Sequence, residues 1–122
     1  MSSAVEFVWT EHYDKRSVCV DWSIFTSASD AVSLMLCLGT PVLAAICDRL
    51  VKNYRFCRSG FPDLTMWNPD TLKYKIVEVK GPHDKLSSKQ ILWLDYFMKI
   101  NADAEVCHVQ VGSREVNKKF ND

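Results

Sequence analysis

The sequence predicts a small mixed α/β fold in which helices pack on a sheet around one hydrophobic core. Its 122 residues are enough for a single domain, and 48% of them are hydrophobic, which is typical of a packed globular chain. Helical and strand-like patterns follow one another in the order helix, helix, strand, strand, helix, strand. The chain contains no internal repeat and no linker-like segment, so we expect one domain over residues 1–122.

The N-terminal part of the chain carries the weakest pattern. We expect residues 1–4 to be loose. Residues 17–22 (SVCVDW) alternate weakly between apolar and polar side chains, which predicts a short strand or a turn.

Two helices are predicted in the next segment. The first covers residues 29–38, where Ser29 can cap the amino end and Gly39 can end the helix. Thr40-Pro41 then starts a second helix, because threonine caps well and proline suits the first helical position. Apolar residues at helical spacing carry this second helix to about residues 54–58.

The second half of the chain predicts strands on both sides of a helix. Residues 63–67 (DLTMW) and 72–80 form the two strands of a hairpin, because Asn-Pro-Asp-Thr between them is typical of a turn. Residues 89–100 (KQILWLDYFMKI) present a broad apolar face at helical spacing. Residues 103–111 alternate and predict a third strand, whereas the polar tail 112–122 should fray and leave an ordered core of about residues 8–111.

Charge and cysteine content limit the functional classes. Lys and Arg number 15, as do Asp and Glu, so a polyanion such as DNA must be met by a local basic patch. The five cysteines are odd in number and lack C-x-x-C spacing, which argues against a disulfide framework and makes Cys47 and Cys107 candidates for small core residues. The apolar stretch 31–47 is interrupted and short for a bilayer, so we expect no membrane partner.

The strand YKIVEVK, residues 74–80, contains charges where an apolar strand would suffice. Side chains alternate along a strand, so Glu78 and Lys80 share one face and the valines take the other, toward the core. If the turn is centred between residues 70 and 71, Asp63 lies opposite Glu78 with about 5 Å between their Cβ atoms. Two carboxylates that close repel each other, and Mg²⁺ would relieve the repulsion. The spacing thus favours a metal site at Asp63 and Glu78, with Lys80 beside it.

A surface charge cluster is the alternative interpretation of the same residues. Glu and Lys are common in edge strands, where they discourage aggregation without doing any chemistry. The bare E-x-K pattern does not separate the two interpretations. Pro62-Asp63, a hairpin of the right length and E-V-K at the end of an apolar strand together favour the metal site.

The arrangement of these residues resembles the PD-(D/E)XK nuclease signature, since fourteen residues separate Pro62-Asp63 from Glu78-Val79-Lys80. The segments GFPDLTMWNP, KIVEVKGPHDKLSSKQILWL and AEVCHV are similar to the VRR-NUC (virus-type replication-repair nuclease) module, and within it to the form found in Fanconi-associated nucleases. The resemblance runs over about residues 8–109. It implies a restriction-endonuclease-like core, with a mixed central sheet flanked by helices.

The resemblance also implies a role for each residue of the motif. Asp63 and Glu78 would bind Mg²⁺ or Mn²⁺ together with the backbone carbonyl of Val79. Lys80 would orient or activate the attacking water, and Gln90 matches the family's helix glutamine near the site. Catalysis would hydrolyse phosphodiester bonds of DNA.

Basic residues near the motif are candidate contacts for DNA phosphates, and they are Arg55, Arg58, Lys85 and Lys89. Arg55 and Lys89 match positions that grip a DNA 5′-phosphate in the family. Arg49, Lys52, Arg55 and Arg58 step by three, and would form a basic stripe if one helix ran through all of them. An ordinary solvated helix face is the alternative for this stripe.

The implied function is that of a structure-selective nuclease. It would cut branched DNA at 5′ flaps, or digest it in the 5′–3′ direction, during interstrand-crosslink repair in the nucleus. Fanconi-pathway proteins would be partners of regions that this chain does not contain.

One acidic ligand of the family has no match in this chain. The family supplies it from an upstream L-E-A-R-like helix, and neither Glu6 nor Glu11 lies in such a context. We therefore expect the chain to lack this helix and the DNA-docking domains before it. A catalytically incomplete DNA-binding module is the alternative function, and a protein-interaction domain is a third.

Overall fold

The structure is a computed structural model that describes residues 2–15 and 22–112. The helices are α1 (Ser2–His12), α2 (Ala28–Leu38), α3 (Thr40–Lys52), α4 (Tyr54–Arg58) and α5 (Ser88–Lys99), and the strands are β1 (Leu64–Asn68), β2 (Lys73–Lys80) and β3 (Ala104–His108). The described strands form a mixed sheet in the order β1-β2-β3. The predicted mixed α/β fold class is therefore confirmed.

Strand β2 lies at the centre of the sheet and runs parallel to β3. Parallel neighbours need a crossover connection, which α5 supplies. The register places Lys80 opposite His108, and the N–H of Val109 donates to the C=O of Lys80 at 2.8 Å. Because peptide groups alternate in direction along a strand, the neighbouring Val79 directs its N–H and C=O away from β3, toward β1.

Helix α2 is capped two residues earlier than predicted. Ser27 has an extended backbone (φ −157°, ψ 163°), and its hydroxyl accepts from the N–H of Asp30 at 3.3 Å. The predicted cap Ser29 lies inside the helix instead, because the chain is already helical from Ala28. The predicted end is confirmed at Gly39, whose φ of 78° is one that glycine adopts without a steric penalty.

The single helix predicted from Thr40 to about residues 54–58 is in fact two helices. Helix α3 ends at Lys52, and Asn53 (φ −155°, ψ 77°) caps α4 by accepting from the N–H of Phe56 at 3.3 Å. Asparagine favours such caps because its side-chain oxygen competes with the helix backbone. No single helix of the described residues is long and apolar enough to cross a membrane; α2 and α3 pass that test only as a pair, bent by 105°.

Helix α1 is the element that the sequence failed to predict. Residues 2–4 were expected to be loose, but they form its first turn. None of its described residues is buried, and its apolar residues Val5, Val8 and Trp9 form only a short stripe. Its C-terminal end meets Trp22 through ring contacts with Trp9 and Tyr13, at centroid distances of 5.3 and 5.7 Å. The short strand or turn predicted at residues 17–22 lies, apart from Trp22, outside the described residues.

The chain divides into two compact units, Met1–Asp48 with Met66–Tyr74, and Arg49–Thr65 with Lys75–Asp122. The described core of the first unit consists of Ala31, Cys37, Val42 and Ile46, and that of the second of Cys57, Ile76, Val77, Trp93 and Phe97. Cys47 and Cys107, which were candidates for core positions, are exposed. Cys107 lies on the edge strand β3, in which three of the five residues are exposed.

Trp93 joins α5 to the segment after α4 within the second unit. It is 1% exposed, stacks on Phe97, and meets the edge of Phe61 with 4.9 Å between ring centroids. Its indole N–H donates to the C=O of Cys57 at 2.6 Å, so its polar atom is satisfied inside the core. This packing fixes where the first turn of α5 lies, and that turn carries Gln90.

Candidate active site

Glu78 is one of the most buried residues of the chain. It lies in β2 and is 1% exposed, as little as Ile76 on the same face, and Lys80 is only 9% exposed. Val79, which was predicted to face the core, is only half-buried. The interpretation of Glu78 and Lys80 as a surface charge cluster is therefore wrong, because solvated charges of that kind would not be buried.

The two oxygens of the Glu78 carboxylate have different surroundings. Oε1 accepts from the side-chain amide of Gln90 at 2.7 Å and lies 3.3 Å from the ammonium of Lys80. Oε2 is buried and has no hydrogen-bond partner among the described residues. A buried unsatisfied polar atom costs about 1–3 kcal/mol, more when it is charged. Oε2 is thus an atom that a bound cation would satisfy.

Gln90 reaches Glu78 because it belongs to the capping box of α5. Its Oε1 accepts from the N–H of Ser87 at 2.8 Å, while its own N–H donates to the Ser87 hydroxyl at 3.2 Å. The Ser87 N–H is a donor only, so the carbonyl end of the Gln90 amide must face it. The NH₂ end is then left to donate to Glu78.

Asp63 lies just before β1, which begins at Leu64, one residue later than predicted. Its Oδ2 accepts from the N–H of Val79 at 3.0 Å. The hairpin therefore brings Asp63 to the residue that follows Glu78, and to the same side of β2 as the Val79 carbonyl. Asp63 is exposed, whereas Glu78 is buried, so the two carboxylates approach the site from solvent and from the core.

The donor set of this site fits a divalent cation that prefers oxygen ligands. Among the described residues, no group of three or more His, Cys, Asp or Glu side chains could hold a metal ion. A closed zinc-type site needs about four protein ligands, but Mg²⁺ is usually held by one or two carboxylates plus waters and substrate phosphates. Asp63, Glu78 and the Val79 carbonyl would supply such an open set of oxygen ligands.

Lys89, one of the candidate phosphate-binding residues, is held by two contacts. Its ammonium donates to the hydroxyl of Ser59 at 3.0 Å and lies 4.7 Å from the ring centroid of Phe56. Lys89 is half-buried, whereas Arg55 and Lys85 are exposed. The structure thus brings Lys89 to the C-terminal end of α4, at Ser59. Arg55 lies at the start of the same helix, and Lys85 lies in the loop before α5.

The predicted basic stripe is not continuous. Its members were expected on one helix, but the break at Asn53 separates α3 from α4. Arg49 is half-buried and lies over the rings of Trp93 and Tyr96, 5.0 and 4.5 Å from their centroids. Arg49 therefore supports the core of the second unit, and Arg58, which lies 5.4 Å from the ring centroid of Tyr54, remains exposed.

Two supporting residues were missed in the sequence. Ser87 could have been found, because S-x-x-Q before an apolar helix is a capping-box pattern. Gly60 gave no such signal: a Cβ at this position would lie 2.6 Å from the backbone carbonyl carbon of Lys89. Only the folded structure shows that close approach.

Comparisons with known proteins agree with this geometry. The family model of the VRR-NUC domain matches residues 3–111. Human Fanconi-associated nuclease 1 is 46% identical over 105 residues, which cover 86% of this chain and 10% of that protein. The Fanconi-associated nuclease 1 homolog of Caenorhabditis elegans is 48% identical over 103 residues, which cover 84% of this chain and 12% of the homolog.

A solved structure shows the same fold. The crystal structure of paFAN1 bound to DNA with a gap and a 2-nucleotide 5′ flap matches with a TM-score of 0.82 and 28% identity, over 92% of this chain and 21% of that one. The chain spans about a tenth of the length of the curated relatives described above. The predicted family and the nuclease-type core are thereby confirmed. The chain belongs to the VRR-NUC family of nuclease domains.

Proposed function

We propose that this chain is a metal-dependent nuclease domain that hydrolyses phosphodiester bonds of DNA. The observation that carries the proposal is the asymmetry of the Glu78 carboxylate, one oxygen of which is held by two donors while the other is buried without a partner. A purely structural buried ion pair is stable only when its remaining lone pairs are satisfied. Glu78 does not meet that condition, because its Oε2 has no partner among the described residues. Binding of Oε2 to a metal ion would meet it.

Each residue of the motif has a distinct task in this proposal. Asp63, Glu78 and the Val79 carbonyl would hold Mg²⁺ or Mn²⁺, which when bound supplies Lewis-acid stabilisation of the phosphoryl oxygens. Lys80 holds its ammonium 3.3 Å from Glu78 Oε1, where it can orient a water and offset negative charge at the phosphate. Gln90 keeps the Glu78 carboxylate in one orientation.

The substrate that we propose is branched DNA with a 5′ flap. The support is the paFAN1 structure, which was solved with such DNA, together with the basic candidates Arg55, Arg58, Lys85 and Lys89. The relatives are named Fanconi-associated nucleases. From the resemblance we further propose that the chain takes part in 5′-flap cutting or 5′–3′ digestion in interstrand-crosslink repair. By the same analogy we propose a nuclear protein that works with Fanconi-pathway partners.

A catalytically incomplete DNA-binding module is the second candidate. The observation in its favour is that the described residues supply only two carboxylates at the motif, and no group of three or more metal-binding side chains. Such a module would retain the basic contacts to DNA without cutting it.

Cleavage of a labelled 5′-flap DNA in the presence of Mg²⁺ or Mn²⁺ tests the proposal. Glu78→Gln keeps the shape of the side chain but removes its charge, so cutting should be lost. Glu105→Gln is the matched control, because Glu105 lies on the same sheet but is exposed and paired with Lys75. Binding of the flap DNA without cutting, by the parent chain as well as the variants, would support the second candidate and reject the first.

A further inference from the structure

The orientation of the Glu78 carboxylate depends on a residue outside the nuclease motif. Gln90 alone could present either end of its amide to Glu78, since the two ends are nearly the same size. With the carbonyl end toward Glu78, two oxygens would face each other and repel. The N–H of Ser87, 2.8 Å from Gln90 Oε1, is the contact that selects the favourable end.

Ser87 also sets the position of the Gln90 backbone. Its hydroxyl accepts from the Gln90 N–H at 3.2 Å, which caps the helix that begins at Ser88. The two bonds are reciprocal, so the backbone and the side chain of Gln90 are both held by one residue. Gly60 limits the same turn from the other side, because a Cβ there would lie 2.6 Å from the carbonyl carbon of Lys89.

The consequence at Glu78 is that its two oxygens cannot exchange freely. A rotation of the carboxylate by half a turn would swap the positions of its two oxygens. At any time, however, Gln90 and Lys80 donate to the oxygen that faces them, which keeps the carboxylate in that plane. The other oxygen then points to the place where no described residue offers a hydrogen bond. Loss of a partner that orients a ligand in this way typically lowers metal affinity by about 10- to 100-fold.

We propose that Ser87 is a positioning residue for Glu78, acting through Gln90, so that one carboxylate oxygen is kept available for a divalent cation. This inference deepens the proposed nuclease function and rests on it for the identity of the ligand. The bonded chain from Ser87 through Gln90 to Glu78, however, is a property of the protein without metal.

The test compares two cap variants that lose the same kind of hydrogen bond. Ser87→Ala removes the cap of α5, and Ser27→Ala removes the cap of α2, whose hydroxyl also accepts one backbone N–H. Both variants should melt at a lower temperature. Only Ser87→Ala should weaken the binding of Mn²⁺, by about tenfold, as measured by calorimetric titration. Ser87→Thr keeps a hydroxyl acceptor and should restore the affinity.

A proline variant isolates the second bond. The φ of Ser87 is −73°, which a proline ring accepts, so Ser87→Pro removes the N–H that holds Gln90 Oε1 without imposing a new φ. Because both variants lack the hydroxyl, a weaker Mn²⁺ affinity for Ser87→Pro than for Ser87→Ala measures the contribution of that N–H. Equal affinities of the two variants would show that the N–H does not orient Gln90.

A metal-free measurement separates the failure of this inference from the failure of the proposed function. In ¹⁵N-labelled protein with EDTA, the side-chain NH₂ of Gln90 should exchange slowly in the parent chain and fast in Ser87→Ala, but not in Ser27→Ala. If the parent chain does not bind Mn²⁺ but Gln90 behaves in this way, the positioning by Ser87 stands and the metal-dependent function fails. If Mn²⁺ binds equally well to the parent and Ser87→Ala, and Gln90 exchanges equally in both, the inference is overturned.

Discussion

Gln90 donates its side-chain amide to Glu78 Oε1 across 2.7 Å, and thereby couples the first turn of α5 to the buried carboxylate of β2. Both ends of the Gln90 amide are used in this arrangement, because its other end accepts from Ser87. A polar network in a low-dielectric core is stable only when its members are satisfied, and one member here is not. Under the proposed function, this coupling would prepare Glu78 as a metal ligand.

Replacing Gln90 should weaken metal binding more than it weakens the fold. Gln90→Leu leaves Lys80 next to Glu78 Oε1 but frees the carboxylate to rotate, so we expect the affinity for Mn²⁺ to fall by about 10- to 100-fold. Calorimetric titration of the metal measures the change. Gln110→Leu is the control, because Gln110 is exposed after β3. An unchanged affinity in Gln90→Leu would show that the hydrogen bond is only structural.

Lys80 should be needed for stability as well as for activity. Removal of one partner of a buried ion pair leaves the other charge uncompensated, so Lys80→Met should reduce the free energy of unfolding by about 3 kcal/mol in EDTA. Urea denaturation measures this loss. Mn²⁺ should restore part of it, because a cation offsets the charge of Glu78.

The matched control for Lys80 is an exposed ion pair. Lys99 lies 2.8 Å from Asp95 on α5, and their side chains are 72% and 50% exposed. Because exposed pairs contribute less than about 1 kcal/mol, Lys99→Met should change stability little. Similar losses for the two methionine variants would mean that the Lys80–Glu78 pair is screened like a surface pair.

The basic residues should separate into a DNA-binding group and a structural group. Arg55 is exposed, so Arg55→Ala should lower the slope of log K against log salt by about one without affecting stability. Arg49 lies over Trp93 and Tyr96, so Arg49→Ala should lower the melting temperature and leave the slope unchanged. Fluorescence anisotropy of a labelled flap DNA over a salt series measures both slopes. The reverse pattern would assign the phosphate contact to Arg49.

The sequence predicted the strands and the helix around the motif because their signals are local. Alternation in β2, turn residues before it and helical spacing after it all depend on neighbours in the chain. The motif residues Asp63, Glu78, Lys80 and Gln90 could be chosen for the same reason, helped by the resemblance. The capping-box pattern that identifies Ser87 is also local, so Ser87 could have been predicted in the same way.

Other features depend on contacts between distant segments and gave no local signal. The strand pattern assigned Glu78 to the polar face, whereas packing of α5 made that face as buried as the other. The sequence has a good helical pattern on both sides of Asn53. The helix is nevertheless interrupted there, because the Asn53 side chain caps α4. The structural role of Arg49 also gave no local signal, because it depends on the rings of Trp93 and Tyr96, which lie far from Arg49 in the sequence.

Lys75 should make stability depend on pH in the alkaline range. A hydrogen bond to Glu105, together with the charges of Asp103 and Glu105, raises the pKa of Lys75 above its ordinary value of 10.5. A group whose pKa is higher in the folded state stabilises the fold below the unfolded pKa. That stabilisation should therefore be complete below about pH 10, and lost as the pH rises through the folded pKa.

Denaturation with urea at several pH values between about 9 and 12 checks this behaviour of Lys75. Lys75→Met should remove the part of the alkaline loss that belongs to Lys75, while Lys73→Met, at an exposed position of the same strand, should not. Because the Lys75 side chain is 39% exposed, the effect should shrink at high salt. Identical pH profiles for the parent chain and Lys75→Met would contradict the assignment.

Gly60 should tolerate no side chain, because the backbone of α5 occupies the space. A Cβ at Gly60 would lie 2.6 Å from both the carbonyl carbon and the Cβ of Lys89, and 2.7 Å from its carbonyl oxygen. Backbone atoms cannot move aside as a flexible side chain can, so Gly60→Ala must displace the first turn of α5. Overpacking of this kind costs about 1–3 kcal/mol, which urea denaturation would measure. Gly112→Ala is the control, because nothing lies within 4 Å of a Cβ there.

The same displacement should reach the metal site, since Gln90 follows Lys89 directly and holds Glu78. Gly60→Ala is therefore expected to weaken Mn²⁺ binding in parallel with Ser87→Ala, although Gly60 has no polar side chain to contribute. If Gly60→Ala lowers stability but leaves Mn²⁺ affinity at the value of the parent chain, the turn must relax without moving Gln90. In that case the hydrogen bond from Gln90 to Glu78 would be tolerant of helix position, and only its donor would matter.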